Sequence, residues 1–237
     1  MDKPFTFEEL HAVVAALRGE NGCPWDKAQT HESMQGNTIE EAYEVNQAVR
    51  DLSATGNPDN LCEELGDLLL QVMLHSQIAE ENGEFTLEDV IDGITRKMIR
   101  RHPHVFGGAT YESDAERRAA WESIKAQEKK DAGQTPAAIS ALAAVPAAFP
   151  ALIRSQKVVK KAEKQGLISL CEEDIFKEIL ESVVRLQKAA ASPEDTRLLT
   201  KRMGETLFAI SKLAALYHIH SEMALTNETE QFIKEQE

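Results

Sequence analysis

The chain has 237 residues, 42% of them hydrophobic, and a formal net charge of −14. This length is sufficient for one large domain or two small ones, each with its own core. The acidic charge argues against a general nucleic-acid binder and an anionic-membrane binder, because both need a basic surface. The three cysteines have no C-x-x-C spacing, so neither a disulfide framework nor a zinc site is indicated. The sequence shows no signal peptide and no apolar run of about 20 residues, which predicts a cytoplasmic protein without a membrane span.

Four amphipathic helices are predicted in the first half of the chain. The first covers residues 7–17 and is followed by a turn-rich segment, residues 19–29. The second is expected to begin near Thr38, whose hydroxyl can cap the helix while Glu41, three residues later, completes a capping box. It is expected to end near residues 56–58, a Gly-Asn-Pro sequence.

The third and fourth helices follow after short connections. The third is predicted to begin near Asn60 and to end near Gly83. The fourth is predicted to start at Thr86 and to end before Pro103. Four helices joined by short connections favour an antiparallel bundle. The apolar stripe of the third helix consists of Leu61, Leu65, Leu68, Leu69 and Val72.

The composition changes near the middle of the chain. A further charged helix is expected over residues 121–130, and the Ala- and Pro-rich residues 131–150 indicate a linker. Because Gly and Pro are few and β-branched residues do not alternate, an all-α fold is predicted. The predicted organisation is a helical domain over residues 1–130, the linker, and a second helical domain over residues 151–237.

Five carboxylates at fixed spacing are the most informative feature of the chain. They form an E-E-x-x-E motif on the second predicted helix and an E-x-x-D motif on the third, so each group projects from a narrow sector of one helix surface. Like charges this close repel each other, and a bridging cation removes that penalty. All-oxygen ligation favours a hard ion, Mg²⁺ or Mn²⁺, over zinc. The five candidate metal ligands are Glu40, Glu41, Glu44, Glu64 and Asp67.

These acids have two other interpretations. A solvated acidic helix face is the commoner explanation for any single glutamate, but five acids at this spacing, two of them beside apolar stripes, favour the metal site. A ferritin-like di-iron bundle also gathers carboxylates, but it requires Glu-x-x-His motifs on facing helices. Because the residue three after Glu64 is Asp67, and His75 is badly placed, the di-iron interpretation is weak.

The densest basic stretch lies at the predicted end of the fourth helix. Lys97 and Arg101 are four residues apart and share a face, as do Arg96 and Arg100. Lysine offers a point charge and arginine a planar fork, and both suit phosphate oxygens. The structural alternative is a cationic helix end that offsets the macrodipole while its arginines pair with surface acids. Beside a carboxylate site, phosphate binding is the favoured interpretation.

The two tryptophans lie in charged contexts. Trp25 precedes Lys27 by two residues, and Trp121 precedes Lys125 by four. Each ring can stack on a nucleobase while its lysine reaches phosphate, or it can equally anchor a loop in the core. The sequence contains no recognisable serine or cysteine nucleophile with its base, Walker loop or G-x-G-x-x-G turn. The predicted chemistry is therefore metal-assisted attack by water.

The second half of the chain resembles a diverged copy of the first. The aligned segments are 40–44 with 177–181 and 63–70 with 201–208, at offsets that differ by one residue. In the second copy Lys177 and Arg202 replace acids. Cations at ligand positions oppose metal binding, so the second half is predicted to be inactive and to serve as a scaffold, regulator or interface.

These motifs together resemble the MazG family of nucleoside triphosphate pyrophosphohydrolases, within the all-α NTP pyrophosphatase superfamily. The resemblance covers residues 19 to about 129, from the Asn-Gly-Cys-Pro-Trp-Asp segment through both acidic motifs and the Arg-Arg-His-Pro-His-Val-Phe segment. It implies a four-helix bundle whose active site is completed by dimerisation, and hence a homodimer. It places the family's metal ligands on the five acids and its triphosphate contacts on Lys97 and Arg101. The further substrate-binding candidates are Arg100, Trp121, Lys125, Trp25 and Lys27.

The reaction that this resemblance implies is hydrolysis of a nucleoside triphosphate (NTP) to a nucleoside monophosphate (NMP) and pyrophosphate, with Mg²⁺ or Mn²⁺ as cofactor. Glu41 is the predicted acceptor of the proton from the attacking water. Some two-domain members are active through their C-terminal repeat, but Lys177 and Arg202 assign activity to the first half here. The catalytic candidates are Glu41, Glu44, Glu64 and Asp67.

Two alternatives belong to other functional classes. The chain can be a non-catalytic nucleotide-sensing or partner-binding protein, in which an intact site captures NTP without cleaving it. It can also be an inert helical scaffold, which would bind no metal. The intact acids of the first half argue against both alternatives.

Overall fold

A computed structural model of the chain describes residues 3–131, 133, 142–191 and 195–236. The regular elements in these residues are helices and no strand occurs among them, which confirms the predicted all-α class. None of the helices in this part of the chain is both long and apolar enough to cross a membrane. The chain divides into two compact units, Met1–Glu128 and Lys129–Glu237. Residues 132 and 134–141 of the predicted linker lie outside the described residues.

The helices of the first unit follow the predicted order. The turn-rich segment near residue 25 contains a short helix, and the charged helix that includes Trp121 begins seven residues earlier than predicted. The helix bounds are α1 Phe7–Arg18, α2 Pro24–Ala28, α3 Gln35–Thr55, α4 Asp59–Asn82, α5 Leu87–Arg101, α6 Pro103–Phe106 and α7 Asp114–Asp131.

The start of α5 and the ends of α3 and α4 lie where the sequence predicts them. The Thr86 hydroxyl accepts a hydrogen bond from the Asp89 amide at 3.2 Å, and the Asp89 carboxylate accepts one from the Thr86 amide at 2.9 Å. This reciprocal capping box satisfies two backbone donors that lack partners within the helix. Gly56 and Gly83 end α3 and α4 with φ angles of 74° and 72°, a left-handed conformation that glycine adopts without a Cβ clash.

The predicted capping role of Thr38 is wrong. A turn closed by a hydrogen bond from the Met34 amide to the Thr30 carbonyl leads directly into α3, so the helix begins three residues before Thr38. The Thr38 hydroxyl donates to the Met34 carbonyl at 3.0 Å and lies 3.2 Å from His75 Nε2 on α4. The carboxylate of Glu41 is therefore not engaged in a cap.

Helices α3 and α4 pack against each other in antiparallel directions. Thr38 contacts His75, and three residues further along α3 Glu41 contacts Gln71, four residues earlier on α4. Helix α1 also packs on α4. The E-E-x-x-E motif of α3 therefore faces the N-terminal half of α4, which carries the E-x-x-D motif.

The buried core of the first unit contacts the C-terminal half of α4. Met73 and Leu74 of α4 pack with Val14 of α1, Met34 before α3 and Leu87 of α5. This differs from the apolar stripe expected on α4. Leu65 and Val72 remain 50% and 41% exposed. For Leu65 the reason is that α1 packs on α4 beyond residue 70 and leaves its first turns open.

The second unit has its own core and its own antiparallel helix pair. Helix α9 (Glu172–Ala190) packs on α10 (Thr196–Leu216), and α8 (Ala151–Lys164) packs on both α10 and α11 (Ser221–Gln236). Buried polar side chains join these helices: Ser155 donates to Ser211 at 2.8 Å, and Gln156 accepts hydrogen bonds from the amide and the hydroxyl of Ser221.

Candidate metal centre

The packing of α3 on α4 brings acids from both motifs to one place. Glu41, Glu64 and Asp67 each direct one carboxylate oxygen into a cluster in which these atoms lie within 4.8 Å of one another. Glu64 and Asp67 are three residues apart and therefore share a helix face, and Glu41 approaches that face from the opposite helix. This is the only group of three or more potential metal ligands that the described part of the chain gathers so closely.

The other two predicted ligands differ in their relation to this cluster. The Glu44 carboxyl group interacts with that of Glu41, and the Glu44 charge acts on both Glu41 and Glu64. Glu40 is exposed, and its carboxylate is not among the three that converge. The structure therefore brings together four of the five predicted acids. Glu40 is adjacent to Glu41 in the sequence but is not part of the cluster.

The acids are electrostatically strained in the absence of a cation. Partial burial, the interaction with the Glu44 carboxyl group and the charges of the neighbouring acids raise the pKa of Glu41 above its ordinary value. The pKa of Glu64 is raised first by burial and then by the charges of Glu44, Asp67 and Glu63. Each shift means that the site favours protonation over bare negative charge, and a bound cation would reverse that preference.

A residue absent from the predicted site completes the cluster. The Nε2 group of Gln71 donates to Glu41 Oε1 at 3.3 Å, and the Gln71 side chain is only 4% exposed. Its own Oε1 is buried and has no hydrogen-bond partner. Gln71 follows Asp67 by four residues and so lies on the same face of α4, which is the sequence signal that would have identified it.

The donor set of this cluster fits a hard divalent cation. It consists of carboxylate oxygens from Glu41, Glu44, Glu64 and Asp67 with no imidazole or thiolate among them. Mg²⁺ and Mn²⁺ favour such all-oxygen surroundings. The raised pKa values of Glu41 and Glu64 mean that a cation beside these carboxylates would be bound favourably.

The predicted phosphate-binding arginines are paired with an internal acid. Arg101 forms a two-pronged ion pair with Glu128 of α7, at 2.6 Å for the shortest contact, and Arg100 contacts the same carboxylate at 2.7 Å. These hydrogen bonds lower the pKa of Glu128 to about 2. Lys97 forms no ion pair with any described residue, so its ammonium group is available to an anion.

Trp121 lies between cationic side chains. The Lys125 ammonium lies 4.1 Å from the ring centroid and the Arg101 guanidinium 5.8 Å from it. Burial and the Arg101 charge lower the pKa of Lys125. Beside this ring is a cavity of about 360 Å³, which is within the size range of small-molecule sites. Its lining residues are Met98, Arg101, His102, His104, Tyr111, Arg117, Arg118 and Trp121.

The second predicted tryptophan, Trp25, lies on α2 and is 57% exposed, and Lys27 is exposed beside it. The segment is anchored by a residue that the sequence did not identify. Arg18 is 7% exposed, donates to the carbonyl groups of Asp26 and Gln29, and forms an ion pair with Glu81. The exposed ring is therefore presented on a fixed segment and does not serve as a buried anchor.

The aligned acids of the second unit have a different environment. Lys212 donates to both carboxylate oxygens of Glu178 at 2.8 Å. Arg202 pairs with Glu205 at 2.8 Å, and Arg185 lies within 4 Å of both Glu181 and Glu205. Hydrogen bonding to Arg202 lowers the pKa of Glu205. In this unit lysine and arginine side chains of the protein neutralise the aligned acids.

Comparison with known proteins agrees with this geometry. Residues 29–106 match the model of the MazG nucleotide pyrophosphohydrolase domain, a segment that contains all five acids and Arg101. The whole chain is 39% identical over 231 residues to the nucleoside triphosphate pyrophosphohydrolase/pyrophosphatase MazG of Thermotoga maritima, covering 96% of this chain and 83% of that protein. The chain belongs to the MazG family.

Other relatives of this MazG-family chain extend the comparison. The nucleoside triphosphate pyrophosphohydrolase of Escherichia coli is 37% identical over 230 residues, covering 95% of this chain and 83% of the relative. The uncharacterized protein YabN of Bacillus subtilis is 39% identical over 226 residues, but this chain covers only 44% of it. The MazG similarity therefore includes the second unit as well as the segment that carries the acids.

Proposed function

We propose that this MazG-family chain hydrolyses nucleoside triphosphates to nucleoside monophosphates and pyrophosphate at the acid cluster of its first unit. The observation that carries this proposal is the convergence of Glu41, Glu64 and Asp67 from two helices, with Glu44 beside them. Two relatives that are similar over nearly the whole chain are named nucleoside triphosphate pyrophosphohydrolases.

In the proposed site Glu41, Glu44, Glu64 and Asp67 hold Mg²⁺ or Mn²⁺, with Glu40 as a further candidate. When bound, the cation neutralises charge on the phosphates and lowers the pKa of the attacking water. Glu41 remains the predicted proton acceptor, through a carboxylate lone pair that the cation does not use. The packing of α3 on α4 brings the four acids to one place, where they can share a cation.

The phosphates and the base are proposed to contact the basic and aromatic residues of α5 and α7. Lys97 supplies a point charge that forms no ion pair with the residues the structure describes, whereas Arg101 keeps its contact with Glu128 and offers its remaining guanidinium donors. Trp121 offers a ring for stacking, with Lys125 against it. Arg100, Trp25 and Lys27 remain predicted substrate contacts.

We also propose that the chain acts as a homodimer. Apolar side chains on α3, α4 and α5 remain between 37% and 53% exposed, which is unusual for a monomeric helical unit. Light scattering during size-exclusion chromatography should give twice the chain mass. The side chains that support this proposal are Ile39, Tyr43, Val49, Leu65, Val72, Ile91, Ile94, Met98 and Ile99.

A substrate assay tests the proposed reaction. The full chain is incubated with each ribo- and deoxyribonucleoside triphosphate and Mg²⁺, and the products are separated by anion-exchange chromatography. We expect NMP and pyrophosphate in equal amounts, because cleavage falls between the α and β phosphates. Nucleotide binding without any product would support the sensing alternative, and a diphosphate with free phosphate would contradict the proposed bond cleavage.

A further inference from the structure

Helix α4 carries two buried glutamines that hydrogen-bond to different acids. Gln71 is 4% exposed and donates from Nε2 to Glu41 Oε1 at 3.3 Å. Gln77 is 9% exposed and donates from Nε2 to Glu81 Oε1 at 3.2 Å. In both residues the side-chain Oε1 is buried without a hydrogen-bond partner. Gln71 holds an acid on the facing helix α3, whereas Gln77 holds an acid four residues later on α4 itself.

We propose that Gln71 is a positioning residue for the metal site, which holds Oε1 of Glu41 so that Oε2 is left for the cation. This inference rests on the proposed function, because it assumes that Glu41 is a ligand. Gln71 itself contacts neither the cation nor the substrate. Its role is to restrict the orientation of a carboxylate that the neighbouring acids would otherwise repel.

The physical reason lies in the charges around Glu41. Glu44, Glu64 and Asp67 all act on Glu41 as like charges, and their repulsion favours a side-chain rotamer that points away from the cluster. A hydrogen bond from a neutral amide opposes that movement without adding positive charge, which would compete with the cation. Groups that hydrogen-bond to metal ligands commonly fix ligand orientation in this way.

The second unit provides an internal comparison. The alignment of residues 63–70 with 201–208 places Ala209 opposite Gln71 in the next position. Ala209 is fully buried and has no side-chain donor. The acid aligned with Glu41 is Glu178, which is held by the ammonium group of Lys212 instead. The amide donor is thus absent from the unit in which the acids already have cationic partners.

Mn²⁺ binding to the full chain, without nucleotide, tests this role directly. We expect Gln71→Ala to raise the Mn²⁺ dissociation constant, measured by calorimetry, by roughly 10- to 100-fold. The matched control is Gln77→Ala, which removes another buried amide from the same helix and should bind Mn²⁺ like the unmodified chain. Thermal unfolding of both variants shows whether each is folded at the temperature of the titration.

A double-variant comparison separates positioning from a general loss of packing. If Gln71 acts through Glu41, adding Gln71→Ala to Glu41→Gln should cause no further loss of Mn²⁺ affinity. Unchanged affinity in Gln71→Ala, an equal loss in Gln77→Ala, or a full additional loss in the double variant would each overturn the inference.

The outcome for the unmodified chain distinguishes this inference from the function on which it rests. Binding of Mn²⁺ by the unmodified chain with no effect of Gln71→Ala contradicts the positioning role alone. Failure of the unmodified chain to bind Mn²⁺ contradicts the proposed metal site and, with it, the positioning role.

Discussion

The two units present aligned acids in opposite electrostatic states. In the first unit Glu41 and Glu64 are surrounded by other acids, and both pKa values are raised. In the second unit Glu205 is surrounded by Arg202, Lys201 and Arg185, and its pKa is lowered. Both units are built on an antiparallel helix pair, so the backbone is not what separates them. A few charge replacements determine whether the positive charge comes from the protein or from a bound ion.

Removal of one acid from each unit should give the largest difference in activity. We expect Asp67→Asn to lower the rate of pyrophosphate release by more than about 100-fold, because a direct ligand should matter more than a residue that only orients one. Glu41→Gln should have a similar effect. The aligned change in the second unit, Glu205→Gln, should leave the rate within about twofold. Both values come from steady-state assays, with circular dichroism confirming the helical content of each variant.

Two results would contradict this prediction. Retained activity in both Asp67→Asn and Glu41→Gln would remove the acid cluster from the reaction. A large loss in Glu205→Gln, with normal activity in Asp67→Asn, would assign activity to the second unit.

Stabilisation by a divalent ion provides a second test of the comparison. At Mn²⁺ concentrations about 100 times the dissociation constant, the stability gain should be about 2.7 kcal/mol, a shift of roughly 10 °C in the unfolding temperature of the first unit. Glu41→Gln should reduce this shift strongly, whereas Glu178→Gln in the second unit should preserve it. Differential scanning calorimetry with and without Mn²⁺ measures the effect, and equal loss of the shift in both variants would remove the difference between the units.

The smallest expected effect is a pH dependence of opposite sign in the two units without divalent ions. The folded-state pKa of Glu64 is raised, so its ionisation destabilises the fold as pH rises above the ordinary value of 4.5. The pKa of Glu205 is lowered, so its ionised form stabilises the fold above 4.5 and this contribution is lost as pH falls through the lowered value. Both side chains are solvated, which keeps either effect small.

The corresponding measurement uses neutral variants in EDTA. At pH 7 Glu64→Gln should raise the unfolding temperature and Glu205→Gln should lower it, each on the order of 1 °C. The Glu64→Gln difference should shrink as the pH falls through the raised pKa towards 4.5. The Glu205→Gln difference should shrink as the pH falls from 4.5 through the lowered pKa. Shifts of the same sign in the two variants would contradict the prediction that ionisation of Glu64 destabilises the fold while ionisation of Glu205 stabilises it.

Much of the local structure was predictable because it depends on short-range sequence. The capping box at Thr86 and the glycine that ends α4 lie where the sequence placed them. Thr38 also has an acid three residues later, yet it lies inside α3, because the turn before it starts the helix earlier. A capping-box pattern therefore indicates a possible helix start, but it does not exclude an earlier start.

The candidate site was partly predictable for the same reason. A spacing of three or four residues assigned Glu64 and Asp67 to one face of α4, and the tertiary structure brings Glu41 to that face. The pairing of Arg101 with Glu128 could not be read from the sequence, since 27 residues separate the two and many acids were available as partners. The anchoring of the Trp25 segment by Arg18 depends likewise on how a loop folds back on α1.

The sequence by itself determined the helices and the two groups of acids, because both follow from a helical period of 3.6 residues that acts within one segment. The tertiary structure decided which acids converge, since the rotation of α3 against α4 directs Glu41 into the cluster and leaves Glu40 exposed. It also decided that Gln71 holds Glu41, and that cations of the second unit satisfy its aligned acids. These outcomes depend on distances between helices, which no local spacing specifies.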